Sequence, residues 1–247
     1  MNHKIRNILI GHEYPKNSKN PYFNISNKYN IKIDFKPFIK LEAINIDLHK
    51  NNFTLYKFTA VIFASKISID YFFQYCKKIN YNVNIDTKYF CKTESIALYL
   101  KKYIKYRKRK IFFNKELVYN FENLIAKYSN ELYLYPCSNT CNDIMLNNII
   151  NYGCQIKKVI MYKNLKMDLS YIKKNEYDIV AVFTPKSVIA LLESFPDIGK
   201  TKIKIASFGN KTHNTVINAG LTIDIKAPTN LLPSMTMAID YYIRNIC

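Results

Sequence analysis

The chain has 247 residues, room for one large domain or two small ones. At 49% hydrophobic and 22% charged residues its composition is that of a globular protein and excludes disorder. No apolar run approaches the ~18 residues of a membrane span. Met1 to Ile10 lacks the apolar region and cleavage site of a secretory signal, so a soluble cytoplasmic protein is expected. The 37 Lys and Arg against 18 Asp and Glu give a net charge of +19, which suggests an anionic partner: nucleic acid, membrane surface or polyacid. AT-rich codons offer a competing explanation, because the chain is rich in Lys, Asn, Ile and Tyr and has no Trp and five Gly.

Strands and helices alternate almost throughout. A short buried strand at 7–11 leads to a helix at 21–29 and a strand at 31–38. The apolar run FTAVIFA (58–64) reads as a buried strand, followed by a helix at 67–79 with Ile69, Phe72, Phe73 and Cys76 on its apolar face. Next come a strand at 88–91, a helix at 94–106, a strand at 132–135, a helix near 143–151 and a strand at 157–162. The last third reads as strand 178–183, helix 187–194, strand 202–208, helix 211–218, strand 222–225 and helix 234–243. Such alternation implies parallel sheets covered on both faces.

A weak internal repeat lays Phe63–Ile69 on Val182–Val188. Each copy is a buried strand with a hydroxyl at its carboxyl end (Ser65, Thr184) and a second hydroxyl opening a helix (Ser68, Ser187). About 25 residues later each copy has another strand, ending near Ser95 in the first and Thr212 in the second. Two similar α/β halves fit the length better than one large sheet. Ligands of open parallel sheets bind beyond the strands' carboxyl ends, where helix N-termini favour carboxylates or phosphates. Ser and Thr are also ordinary helix caps whatever the function. Four matched hydroxyls, Ser65, Ser95, Thr184 and Thr212, nevertheless outline a cleft.

No Gly-rich phosphate loop, nucleophile elbow or carboxylate pair appears. Cys76, Cys91, Cys137, Cys141, Cys154 and Cys247 are scattered. Neither they nor His3, His12, His49 and His213 have zinc-site spacing, so no metal is expected and the thiols are read as reduced and structural. His213 reads as a surface or packed histidine. The densest basic run, 101–110, interleaves aromatics as a nucleic-acid face would, but basic residues are also at home at a helix C-terminus.

The chain resembles the uroporphyrinogen-III synthase family over nearly its whole length. The carriers are VIFASKISID (61–70), YFCKTESIALYLKKYI (89–104), LYPCSN (134–139), VIMYK (159–163), VFTPKSV (182–188), KIASFGNKT (204–212) and IKAPTNLLPSMTMAI (225–239), in order and spacing. The resemblance implies an α/β fold of two similar parallel-sheet domains, joined by a two-stranded linker with an interdomain cleft. Residues 1–39 and 170–247 would form one domain and 40–169 the other. The implied substrate is hydroxymethylbilane, a linear tetrapyrrole with eight carboxylates. The family closes it to uroporphyrinogen III with inversion of the last ring and loss of water, through an azafulvene and a spirocyclic intermediate. No cofactor takes part.

By motif match Ser65, Ser95, Thr184 and Thr212 would face the cleft, with Ser187 beside Thr184 and Lys204 close by. Tyr162 matches the tyrosine proposed to assist departure of the hydroxyl, which would place its own hydroxyl toward open space. The family often has Thr for Ala64, Pro for Lys66, Pro-Thr for Asn210-Lys211 and Gly for Lys92. Lys66 or Lys92 could instead pair a carboxylate. The rival readings are a non-catalytic α/β protein that retains a tetrapyrrole-type cleft, and a basic nucleic-acid-binding protein using 101–110. Neither a membrane nor a nucleic-acid partner is favoured, and a monomer is expected.

Overall fold

The computed structural model describes residues 4–15, 20–45, 55–114 and 120–246; His3, His49 and Cys247 lie outside them. In chain order the elements are β1 (Asn7–Ile10), α1 (Pro21–Tyr29), β2 (Lys32–Phe35), β3 (Ile39–Ala43), β4 (Ala60–Phe63), α2 (Lys66–Lys78), β5 (Lys88–Cys91), α3 (Glu94–Tyr99), β6 (Ile111–Phe113) and α4 (Phe121–Ala126). They continue with β7 (Leu132–Ser138), α5 (Ile144–Asn151), β8 (Gln155–Lys166), β9 (Ile179–Val182), α6 (Pro185–Ser194), β10 (Lys204–Phe208), α7 (Asn210–Asn218), β11 (Ile225–Ala227) and α8 (Met235–Ile246).

The chain divides into two compact units, Met1–Lys40 with Leu165–Cys247, and Leu41–Asn164. The first unit carries a sheet in the order β11-β10-β9-β1-β2, all parallel. Ile8 pairs with Ile33 on one side and Ile179 on the other. Successive strand residues point to opposite faces, so a strand covered on both sides must be apolar throughout. Ile8 and Ile10 pack with Tyr22 and Ile25 of α1 and with Ala238 and Ile239 of α8. Leu9, Val180 and Val182 pack on the other face with Val188 and Leu191 of α6 and Val216 of α7. Leu169, expected in the other domain, is fully buried in this second core, which moves the boundary to the end of β8.

The second unit carries a sheet in the order β3-β8-β7-β4-β5-β6. Its central strands are parallel. Val61, Phe63 and Leu134 meet Ile69 and Phe72 of α2, while Ala60, Ile62 and Tyr133 meet Phe121 of α4 and Ile149 of α5. The chain passes between the units in β3 and β8, which are neighbours.

Several elements differ from their sequence reading. The helix expected over 94–106 stops at Tyr99 and is followed by a tight turn over Leu100–Lys102. Side-chain contacts hold that segment out of a longer helix: Tyr103 stacks on Phe73 at 4.7 Å and, with Tyr99, donates to Asp70. The strand expected at 222–225 begins only at Ile225, because the Asp224 carboxylate accepts from the Ile205 backbone N–H at 2.9 Å. β3, β6 and α4 have no counterpart in the sequence reading. They are three to six residues long, too short for a periodic signal.

Candidate active site

Ser65 stands two residues beyond the end of β4 and caps α2. Its Oγ accepts the Ser68 N–H at 3.0 Å, and Ser68 Oγ reaches back to the Ser65 backbone. Thr184 stands in the same place after β9 and makes the same box with Ser187, Thr184 Oγ1 accepting the Ser187 N–H at 3.1 Å. The repeat seen in the sequence is therefore a structural one. Each unit places a hydroxyl and free helix N–H groups beyond a central strand, which suits anionic ligand groups. Ser65 is half-buried and Thr184 exposed, so both can be approached, whereas Ser187 is buried and its hydroxyl is used within the box.

Tyr162 lies near the end of β8 with its phenol beside the Ser65 side chain, whose hydroxyl favours the ionised form. Its ring stacks on Tyr71 of α2 at 4.6 Å and 13°. The residue is 7% exposed and its ring packs with the core of its unit. Burial raises the phenol's pKa above its ordinary value, and the Ser65 contact pulls partly the other way. The phenol is therefore protonated at neutral pH.

The remaining residues are less closely gathered. Lys66 is exposed at the start of α2, with Nζ 5.6 Å from the centre of the Tyr99 ring. Ser95 is exposed in the first turn of α3, but the cap there is Thr93. Thr212 is 2% exposed, and α7 starts instead at Gly209, whose φ of 85° suits glycine. Lys204 opens β10 and pairs with Asp224 at 2.9 Å. That is the amino end of the strand; Phe208 marks its carboxyl end, about 13 Å away at ~3.3 Å per residue. Lys204 thus faces away from the end at which Thr184 sits.

One group escaped sequence reasoning. Ser138 ends β7 and Asn139 and Thr140 follow it, with the Ser138 and Thr140 hydroxyls 3.3 Å apart and Asn139 N–H donating to the Tyr162 carbonyl at 3.0 Å. The strand-then-hydroxyl pattern that singled out Ser65 also describes them. Within the basic run Lys102 is held by Asp70, Lys110 by Asp86, and Lys101 lies over the Tyr106 ring. No helix among the described residues is long and apolar enough to cross a membrane.

Comparison with known proteins decides what this arrangement serves. A family model described as uroporphyrinogen-III synthase HemD matches residues 27–236. The chain belongs to the uroporphyrinogen-III synthase family. Among solved structures it is similar to uroporphyrinogen-III synthetase from Helicobacter pylori, at 15% identity and a TM-score of 0.64, covering 98% of this chain and 100% of that one. It is also similar to a mutant uroporphyrinogen III synthase from the extremely thermophilic bacterium Thermus thermophilus, at 11% identity and a TM-score of 0.63, covering 97% and 99%. At such identities these likenesses speak for the shared fold. No curated protein matches. Uroporphyrinogen-III synthases are cyclising lyases of haem biosynthesis and act on hydroxymethylbilane.

Proposed function

We propose that this chain closes hydroxymethylbilane to uroporphyrinogen III with Tyr162 as the proton donor to the departing hydroxyl. The observation that carries the assignment is the family match over residues 27–236, and the proton-donor role goes to Tyr162 because it stands beside the Ser65 cap of α2. In the first step a pyrrole nitrogen's electrons push out the terminal hydroxyl. The C–O bond breaks, the phenol proton passes to the oxygen, and water leaves. Ser65 stands beside the phenol and helps orient it, and the phenolate left by the transfer takes its proton back from solvent water. The substrate's carboxylates are taken up at the capped helix starts, with Ser65 and Thr184 as hydroxyl donors and Lys66, Lys92 and Ser95 as exposed partners. Ser187 positions Thr184, while Thr212 and Lys204 serve structure. The two compact units are taken as the family's two domains, and the enzyme as a cytoplasmic monomer.

Incubation with enzymatically generated hydroxymethylbilane, followed by chromatography of the oxidised isomers, tests the reading. Type III product is expected; type I alone, the spontaneous product, would overturn it.

A further inference from the structure

Four aromatic rings stand in a row along the carboxyl edge of the first unit's sheet. Phe208 ends β10, Phe183 follows β9, His12 follows β1 by one residue, and Phe35 ends β2. Their order is the strand order β10-β9-β1-β2. Successive ring centres are 6.1, 4.9 and 5.5 Å apart, close to the ~4.8 Å spacing of adjacent strands. Tyr14, exposed, adds an edge-on contact to Phe35 at 5.3 Å. All four rings in the row are half-buried, so each keeps a surface toward solvent.

His12 is the one polar ring in the row, and its two nitrogens differ. Nδ1 lies 2.7 Å from the Glu13 carbonyl, which can only accept, so Nδ1 donates and in the neutral ring Nε2 presents a lone pair. No hydrogen bond to Nε2 is found among the described residues, and the ring is half-buried. His213 contrasts with it: that ring is buried, and its Nε2 is held by the Ser207 and Ala227 carbonyls. Gly11 makes the placement of His12 possible. Its N–H donates to the Ala181 carbonyl at 3.0 Å, and a Cβ there would meet that same oxygen at 2.8 Å.

We infer that this row is a seat for the substrate's pyrrole rings, in which His12 Nε2 accepts a hydrogen bond from a pyrrole N–H. The inference rests on the reaction proposed above. A pyrrole is flat and electron-rich, with a single N–H donor. It calls for aromatic edges along its faces and one acceptor in its plane, which is what the row offers. The hydroxyl-capped start of α6 lies directly after Phe183, so a ring seated here has a carboxylate site beside it.

The test compares the full-length parent with His12→Phe, which keeps a ring but removes the acceptor, and His12→Gln, which returns an acceptor near the Nε2 position. Type III formation from hydroxymethylbilane is followed for each, with circular dichroism as the fold control. His12→Phe should lower kcat/KM about 10-fold, the cost of an unmet hydrogen bond, and His12→Gln should recover most of it. The His12 Nε2 resonance of ¹⁵N-histidine-labelled parent should also move on titration with uroporphyrinogen III, which a purely structural histidine would not do. Equal losses in both variants, a parental rate in His12→Phe, or a stationary Nε2 resonance would each overturn the seat. If the parent makes no type III isomer, the reaction assignment falls, and the resonance shift still decides whether the row binds pyrroles.

Discussion

Tyr162→Phe removes one oxygen and leaves the ring, its stack on Tyr71 and its place in the core of the second unit unchanged. The loss of the contact with Ser65 costs at most a hydrogen bond's worth, about 0.5–1.5 kcal/mol. Ser65 Oγ still accepts the Ser68 N–H at 3.0 Å, so no buried group is orphaned. With Tm moving ~2–4 °C per kcal/mol in a protein of this size, the melting point should fall by no more than about 6 °C. The rate should respond far more strongly. General-acid assistance is worth roughly 10²–10⁴-fold, and water can replace part of it, so kcat for type III formation should drop about 10²-fold with KM little changed. Burial holds the phenol protonated, so the parent should lose no activity through this group up to at least pH ~10. The assay is the ratio of type III to type I isomer at fixed time, with spontaneous type I as an internal clock. A parental kcat, or a raised KM with kcat intact, would show that Tyr162 is a packing residue.

Ser65→Ala and Thr184→Ala each remove an N-cap and should each cost about 1 kcal/mol in urea denaturation, but only Ser65→Ala should also lower kcat, because only Ser65 stands beside the phenol. Alkaline pH should destabilise the fold: burial pushes Cys76 and Cys91 up to about 12 and raises Tyr22, Tyr89 and Tyr133. The native state then holds protons that the unfolded chain releases, so stability is full below pH ~8.5 and declines from there as the thiols, and above pH ~10 the phenols, lose protons in the unfolded state, by about 1.4 kcal/mol per pH unit per group; flat denaturation midpoints from pH ~8 to ~11 would contradict this. Gly11→Ala forces a Cβ onto the Ala181 carbonyl and the Phe38 ring and should cost about 1–3 kcal/mol, read as a lower Tm, and should impair type III formation through displacement of His12.

How much of this was legible in the sequence follows from how local each signal is. The boundaries of α1 were readable because Asn20 caps it, its Oδ1 accepting the Tyr22 N–H, and Pro21 supplies the first turn. The central strands were readable because burial on both faces leaves an unbroken apolar run, as in Ala60–Phe63 and Ile179–Val182. β3 was not, because its residues are half-buried or exposed and its pairing with β8 is set by the passage of the chain between units. The end of α3 was not, because the contacts that stop it come from Asp70 and Phe73, more than twenty residues earlier.

The site divides along the same line. A hydroxyl after an apolar strand is a local pattern, and it located Ser65 and Thr184. It misplaced the cap of α3 by two residues, since Thr93 and Ser95 fit it equally well, and it passed over Ser138. The position of a residue within its strand was no less important than its identity. Lys204 and Phe208 belong to one strand, yet they stand at opposite ends of the sheet, so a motif spanning both cannot lie at one site. The aromatic row is the extreme case. Phe35, Phe183 and Phe208 each read alone as a core ring, and His12 as one of four ordinary histidines. They come from points up to 196 positions apart in the chain, and only the order β10-β9-β1-β2 sets them side by side. A parallel sheet with crossover connections converts remote sequence positions into neighbours at one edge. Ligand chemistry assembled there is visible only once the strand order is known.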